Sequence, residues 1–185
     1  MRILTGNIKG REIPMEKNPD IRPTADKVRK AIFDTLQGYA KGKRVLDLYS
    51  GTGALGLEAF STGAAYVRFV ESDAPAARRI EATLKRWGFA DHSAVDAMEA
   101  LRGIDRAAFR KDSYDLVFLD PPYKANRGTD TLKALAEADI VAKGGFVVVE
   151  TWRKDVLPEE LAPFKLLRDR RYGQSRVAIY GRSSS

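Results

Sequence analysis

Two stretches of this 185-residue chain could do covalent chemistry. The first is Asp120-Pro121-Pro122-Tyr123, which follows the apolar run Leu116–Leu119 and so places an acid, two prolines and an aromatic at the tip of a strand. Proline rigidity fixes the direction of the Pro121 carbonyl. With the Asp120 carboxylate it makes a pair of acceptors suited to the hydrogens of a planar exocyclic amine. Such an amine is a poor nucleophile because its lone pair is delocalised into the ring. Two acceptors gripping its hydrogens favour a pyramidal nitrogen and turn the lone pair toward an electrophile. Tyr123 can stack on the base, a contact worth ~1–3 kcal/mol. The base must leave its own stack to reach such a corner unless it is already unpaired. With an unperturbed pKa of ~3.9, Asp120 reads as an orienting group and late proton acceptor rather than a strong general base. The plainer alternative is a rigid turn holding a core tyrosine.

The second stretch runs from Val45 to Gly56 and sets a glycine loop between a strand and a helix. Gly51, Gly53 and Gly56 satisfy the dinucleotide fingerprint, with Glu71 ~20 residues further on. Two features favour a methyl donor instead. Asp47 stands inside the strand end, where a carboxylate can meet the cationic end of S-adenosylmethionine; a pyrophosphate gains nothing from an anion there. Glu71 ends the next strand and can accept both ribose hydroxyls, with Ser72 beside it. Tyr49, Ser50, Gly51, Thr52 and Gly53 supply the loop itself. At the end of a third strand Asp96 is placed to accept from an adenine amino group, and the Ala97 amide to serve the ring nitrogen. Asp120 completes the cofactor side. The alternative for Asp47 and Asp96 is that they cap the helices that follow.

These groups need a scaffold that brings strand tips together. Met1–Thr5 and Ile8–Ile13 flank Gly6-Asn7 as a hairpin, and Thr24 opens a helix carrying Val28, Ile32, Thr35 and Leu36, closed near Gly38. Strands are expected at Arg44–Leu48, Tyr66–Glu71, Ser93–Asp96, Tyr114–Leu119 and Gly145–Glu150. Helices are expected at Ala54–Ser61, from Asp73 to Trp87, and at Thr129–Ala138. Phe164–Tyr172 and Arg176–Tyr180 then form an antiparallel pair around Gly173-Gln174. Alternating units of this kind predict a mostly parallel α/β sheet covered on both faces, closed by an antiparallel hairpin.

Composition narrows the chemistry further. With no cysteine and one histidine, His92, neither a thiolate metal site nor a serine–histidine triad is available. No run approaches the ~18 apolar residues that span a bilayer, and the start lacks a signal peptide's apolar centre, so a cytoplasmic enzyme without a membrane partner is expected. A net charge of +7 and a pI near 9.6 suit a polyanionic partner. Trp87 and Trp152 read as packing residues, and the Arg168–Arg171 run either as an RNA contact or as a solvated edge strand.

Taken together, the hairpin Gly6-Asn7-Ile8-Lys9-Gly10-Arg11, the Arg22-Pro23-Thr24-Ala25-Asp26-Lys27-Val28-Arg29 segment, Asp47–Glu58, Val70-Glu71, Asp96, Asp120–Tyr123 and Tyr172-Gly173-Gln174 resemble the RsmD-type 16S ribosomal RNA guanine-N2 methyltransferases. The resemblance extends over nearly the whole chain. It implies a class I, Rossmann-like fold with a seven-stranded sheet, in one domain: a substrate-binding hairpin and helix over residues 1–38 and a catalytic core over 39–185. It implies S-adenosylmethionine as cofactor and 16S rRNA, in a small subunit or its assembly intermediate, as partner of a monomer. Lys9, Arg11, Arg22, Thr24, Arg29 and Tyr123 would then bind substrate, and Asp120, Pro121, Pro122 and Tyr123 would carry the transfer. Tyr49-Ser50, Thr52 and Asp34 depart mildly from the family pattern. The rivals are a methyltransferase acting on adenine N6 or cytosine N4 of DNA, a protein-glutamine methyltransferase, an NAD-dependent oxidoreductase, and a non-catalytic RNA-binding assembly factor.

Overall fold

The computed structural model describes residues 1–15, 23–122 and 127–183, with backbone only for 23–25. After α1 (Pro23–Leu36) the chain alternates β1 (Arg44–Leu48), α2 (Ala54–Ser61), β2 (Tyr66–Glu71), α3 (Ala74–Trp87), β3 (Ser93–Ala97), α4 (Ala100–Phe109), β4 (Tyr114–Leu119), α5 (Arg127–Ala138) and β5 (Val141–Trp152). It closes with β6 (Glu160–Leu161), β7 (Phe164–Tyr172) and β8 (Ser175–Arg182). The sheet order is β3-β2-β1-β4-β5-β8-β7-β6, parallel through β5 and antiparallel beyond it. The expected α/β architecture is present with eight strands rather than seven. The extra one, β6, is a two-residue edge paired to the start of β7.

Side chains alternate across each strand, so each strand feeds two layers. Val45, Phe69, Phe118 and Val148 face α1, α2 and α3, where Ile32, Phe33, Leu57, Phe60, Ile80 and Leu84 complete one core. Leu46, Leu48, Val70, Val117 and Leu119 face α4 and α5 and pack with Ile104, Leu132 and Leu135. Helix ends follow their local chemistry. Asp73 accepts from the Ala76 amide at 2.6 Å with proline in the first turn, and Gly88 takes the left-handed conformation that stops α3. The chain leaves β3 at one flank and re-enters as β4 on the other side of β1. That reversal opens a crevice at the carboxyl ends of β1 and β4, the place where open α/β sheets take ligands.

The amino-terminal segment is held more broadly than a tight two-residue hairpin would be. Its arms meet through Ile3 N to Arg11 O and Ile13 N to Met1 O, both 2.9 Å, with a bridge between Arg2 and Glu12. Ile3 and Ile13 are buried against the α1–α2–α3 core. The turn spreads over Leu4–Gly10 because it is clamped to the far end of α2: Asn7 N donates to Ser61 O at 2.7 Å, Ile8 N to Ser61 Oγ at 3.2 Å, and Ser61 Oγ donates to Thr5 O.

Candidate active site

Four carboxylates end up on one face of the sheet at its carboxyl edge. Asp47 pairs with Phe69 on one side and Phe118 on the other, and Phe118 pairs with Val148. Two residues further along these strands stand Glu71, Asp120 and Glu150. By alternation they share Asp47's face, on a common rung one repeat above it. Register therefore turns four acids, far apart in sequence, into one cluster at the crevice.

Each acid has a distinct environment. Asp47 is buried, 1 % exposed, and its Oδ2 accepts from the Gly56 amide at 2.9 Å. The N-cap of α2 is Gly53, in the left-handed region at φ 76°, with no side chain to cap the helix, so Asp47 does this from the strand. Burial first, then the charge of Glu71, push the Asp47 carboxyl up to about 8 against the opposing Gly56 hydrogen bond. Among the described residues it has no cationic partner. Gly56 is required here: a Cβ would fall 2.2 Å from the Phe69 ring and 3.0 Å from Asp47 Oδ2. Glu71 spans the two loops beside it, accepting from Gly51 N at 2.6 Å and Asp73 N at 2.8 Å. Asp120 is open to solvent at the strand tip yet ringed by protein, and that surrounding, Glu150 and Asp47 all raise its pKa. Glu150 is half-buried; its pKa is raised by burial against a hydrogen bond from Ser175. Pro121 is buried and Pro122 exposed, while Tyr123 lies outside the described residues.

The loop residues divide by task. Gly51 gives its amide to Glu71, and Thr52 is half-buried with its hydroxyl 3.9 Å from Met1 Sδ. Ser50 is spent on the frame: its hydroxyl donates to Asp47 O at 2.7 Å and lies 3.1 Å from the donating Val70 N. Tyr49, although not glycine, sits at φ 59°, and its hydroxyl pairs with Thr131 Oγ1 at 2.8 Å. Such a residue costs on the order of 1–3 kcal/mol and holds only where its surroundings over-determine it. Ser72 is exposed beside Glu71.

Three expectations change. Asp96 pairs with Val70 and so points to the opposite face, toward α4. There its oxygens meet Arg68 Nη1 at 2.6 Å and Arg106 Nη1 at 3.0 Å, which makes it an ion-paired brace instead of a free adenine acceptor; exposed Ala97 alone stays on the rim. Arg29 is 4 % exposed and cannot reach a phosphate: it donates to Glu58 Oε1 at 3.1 Å, Asp26 Oδ1 at 3.0 Å and Arg2 O at 2.6 Å. Lys9 and Arg11 are exposed, but near the end of the sheet opposite Asp120, because the segment docks on the carboxyl terminus of α2; Arg11 stacks 5.6 Å from the centre of the Trp87 ring. Arg22 and the Thr24 side chain lie outside the described residues.

Two residues escaped sequence reasoning. Glu150 stands two residues before the end of β5 without any motif, and only lateral register reveals it. Glu58, 0 % exposed, accepts from Leu4 N at 2.6 Å, Thr5 N at 3.2 Å, Thr5 Oγ1 at 2.7 Å and Arg29, tying α1 and the amino-terminal arms to α2. Its signal was faint: an acid in the apolar helix Ala-Leu-Gly-Leu-Glu-Ala-Phe-Ser.

A family model described as conserved hypothetical protein 95 matches residues 1–181. The chain belongs to that family. This is the RsmD family that the motifs resemble. Among its relatives, ribosomal RNA small subunit methyltransferase D of Escherichia coli (strain K12) is 32 % identical over 100 % of this chain and 91 % of its own. A protein of Bacillus subtilis (strain 168), YlbH, named as a candidate rRNA methyltransferase, is 36 % identical over 97 % and 98 %. The structure of E. coli yhhF, titled a candidate methyltransferase, superposes with a TM-score of 0.88 at 28 % identity, over 100 % of this chain and 99 % of that one. The RsmD-family chain thus has a methyltransferase fold, with its acid cluster at the crevice of that fold.

Proposed function

We propose that this chain transfers a methyl group from S-adenosylmethionine to the exocyclic N2 of a guanine in 16S rRNA. The observation that carries the reading is the shared face of Asp47, Glu71 and Asp120 at the β1/β4 crevice, with Pro121 directly after Asp120. The names of the E. coli and B. subtilis relatives support the RNA class of substrate. The partner on this reading is 16S rRNA within a small subunit or its precursor, met by a cytoplasmic monomer. Residues 1–38 form an extension to a catalytic core over 39–185, in one domain.

The donor set fits such a cofactor. Asp47 is a buried acid lacking a cation among the described residues, matched to an ammonium. Glu71 lies beside the loop amide of Gly51, where a carboxylate can take a ribose diol. When bound, the cofactor supplies a methyl group on a positively charged sulfur. The chain does the rest. Asp120 Oδ and the Pro121 carbonyl take hydrogen bonds from the amine, turn its lone pair toward the crevice and hold it in line; alignment of this kind accounts for much of the rate. As the nitrogen gains its methyl group it sheds a proton, and Asp120, whose pKa is raised, is placed to accept it.

The test supplies labelled methyl donor with small ribosomal subunits, free 16S rRNA and DNA, and identifies the labelled nucleoside. N2-methylguanosine from the RNA is the expected product. Label in DNA adenine or cytosine, or no labelled base from any substrate, overturns the reading.

A further inference from the structure

The amino-terminal cations face the wrong end of the sheet for a strand threaded through the crevice, which raises the question of what grips the RNA beside it. The carboxyl end of β5 has the required character. Trp152 stands two residues beyond Glu150, on the same face and ~7 Å further along the strand, and is 37 % exposed with Lys154 Nζ 5.0 Å from its ring centre. Register aligns Trp152 with Ser175 and Ser175 with Tyr172, so the indole of β5 and the phenol of β7 flank a serine of β8 at this level. The turn after β5 is fixed to the β7–β8 turn by Arg153 N to Gln174 O at 2.7 Å.

Around the end of β5, on the other face of the sheet, lies a depression of about 480 Å³ lined by Arg153, Lys154, Arg171 and Arg176 together with Asp155 and two apolar side chains. Thr151 pairs with Arg176 and Arg176 with Arg171, one residue out of phase with Trp152, and Lys154 links the two sides. Its acids are already engaged. Asp169 holds Arg176 through two bonds of 2.9 Å, and Asp155 accepts from Thr151 while its carbonyl accepts from Arg176 at 2.5 Å. Arg153, Lys154 and Arg171 are exposed and, among the described residues, form no ion pair. Exposed Arg153 and Lys154 beside an exposed indole, one strand from the Asp120 tip, with Arg171 next to the already bonded Asp169, complement a phosphate backbone with unstacked bases.

We propose that this depression, with Trp152 under Lys154 across the end of β5, grips the RNA strand next to the methylated base. The proposal rests on the RNA reading above. The test measures binding of a labelled 16S rRNA fragment across a salt titration, and KM and kcat for methylation of small subunits. In R153Q/K154Q/R171Q the salt slope should fall by about 2, at roughly 0.7 per single-strand phosphate contact, and KM should rise on the order of tenfold with kcat unchanged. W152A should weaken binding on the order of tenfold with its slope intact. K9Q/R11Q should leave both alone. S-adenosylhomocysteine affinity serves as the folding control, and each exposed cation changed singly should remove about 0.7 of slope should the triple variant lose that affinity. Wild-type slope and KM in the basic variants, with wild type active on RNA, overturn the surface. A wild type that neither binds nor methylates RNA overturns the function on which it stands.

Discussion

The chain buries carboxylates in two places and treats them in opposite ways. In the knot at α2, Glu58 is surrounded by donors: two amides, a hydroxyl and the Arg29 guanidinium. At the crevice, Asp47 has one amide and, among the described residues, no cation, and Asp120 feels the charges of Glu150 and Asp47. A carboxylate kept for structure is given everything it needs by the fold. One kept for binding, as proposed for the crevice, is left wanting a positive ligand and a proton acceptor's poise.

Breaking each half should separate the two uses. Asp120→Ala removes an acceptor aimed at the reacting amine, so turnover should fall roughly 100- to 1000-fold while cofactor affinity, by calorimetry, stays near wild type. Retention of full activity would remove the assignment. Glu58→Ala leaves the buried Arg29 with the half-exposed Asp26 as its sole acid among the described residues and strips the Leu4 and Thr5 amides of their acceptor. It should cost about 3–5 kcal/mol, lowering Tm by roughly 10 °C in a chain of this size. An unaltered melting curve would show that the knot holds nothing.

Asp47→Asn should weaken S-adenosylmethionine binding by about 1.5–3 kcal/mol, the worth of a charge-assisted contact. It also has a pH signature. The folded pKa of Asp47 is raised to about 8 over an ordinary ~3.9. The stability contributed by its neutral form is thus fully present below about pH 4 and lost as pH rises through about 8. Relative to Asp47→Asn, wild type without cofactor should therefore lose Tm across that window, and a constant difference between the two would contradict the shift. Smallest of all, Lys30→Ala breaks an exposed pair with Asp34 and should change stability by only ~0.3–0.5 kcal/mol in denaturant titration. A larger loss would mean that the surface carries more of the stability than the buried knot suggests.

Local signals led to the strands and to most helices because continuous apolar runs, glycine turns and caps such as Asp73 act within a few residues. They failed where the cause is lateral. Ala100–Phe109 does not announce a helix, since Gly103 interrupts it. That glycine exists because a Cβ would meet Val70 at 2.8 Å, and α4 lies that close to β2. Arg29 looks like a surface cation until α2 brings Glu58 beneath it. Asp96 ends a strand as Asp47 does, yet a difference of one residue in parity sends it to the other face and into two ion pairs. The placement of Asp47, Glu71 and Asp120 at the crevice was readable because position near a strand end and motif coincide there; Glu150 has position alone.

The crevice draws its acids from residues 47, 71, 120 and 150, each delivered by a separate strand. No fragment ending before β5 contains the full set, however well its first half folds. An emerging polypeptide of this kind holds at most three of the four until β5 joins the sheet, so the acid cluster is complete only when its last parallel strand is in place.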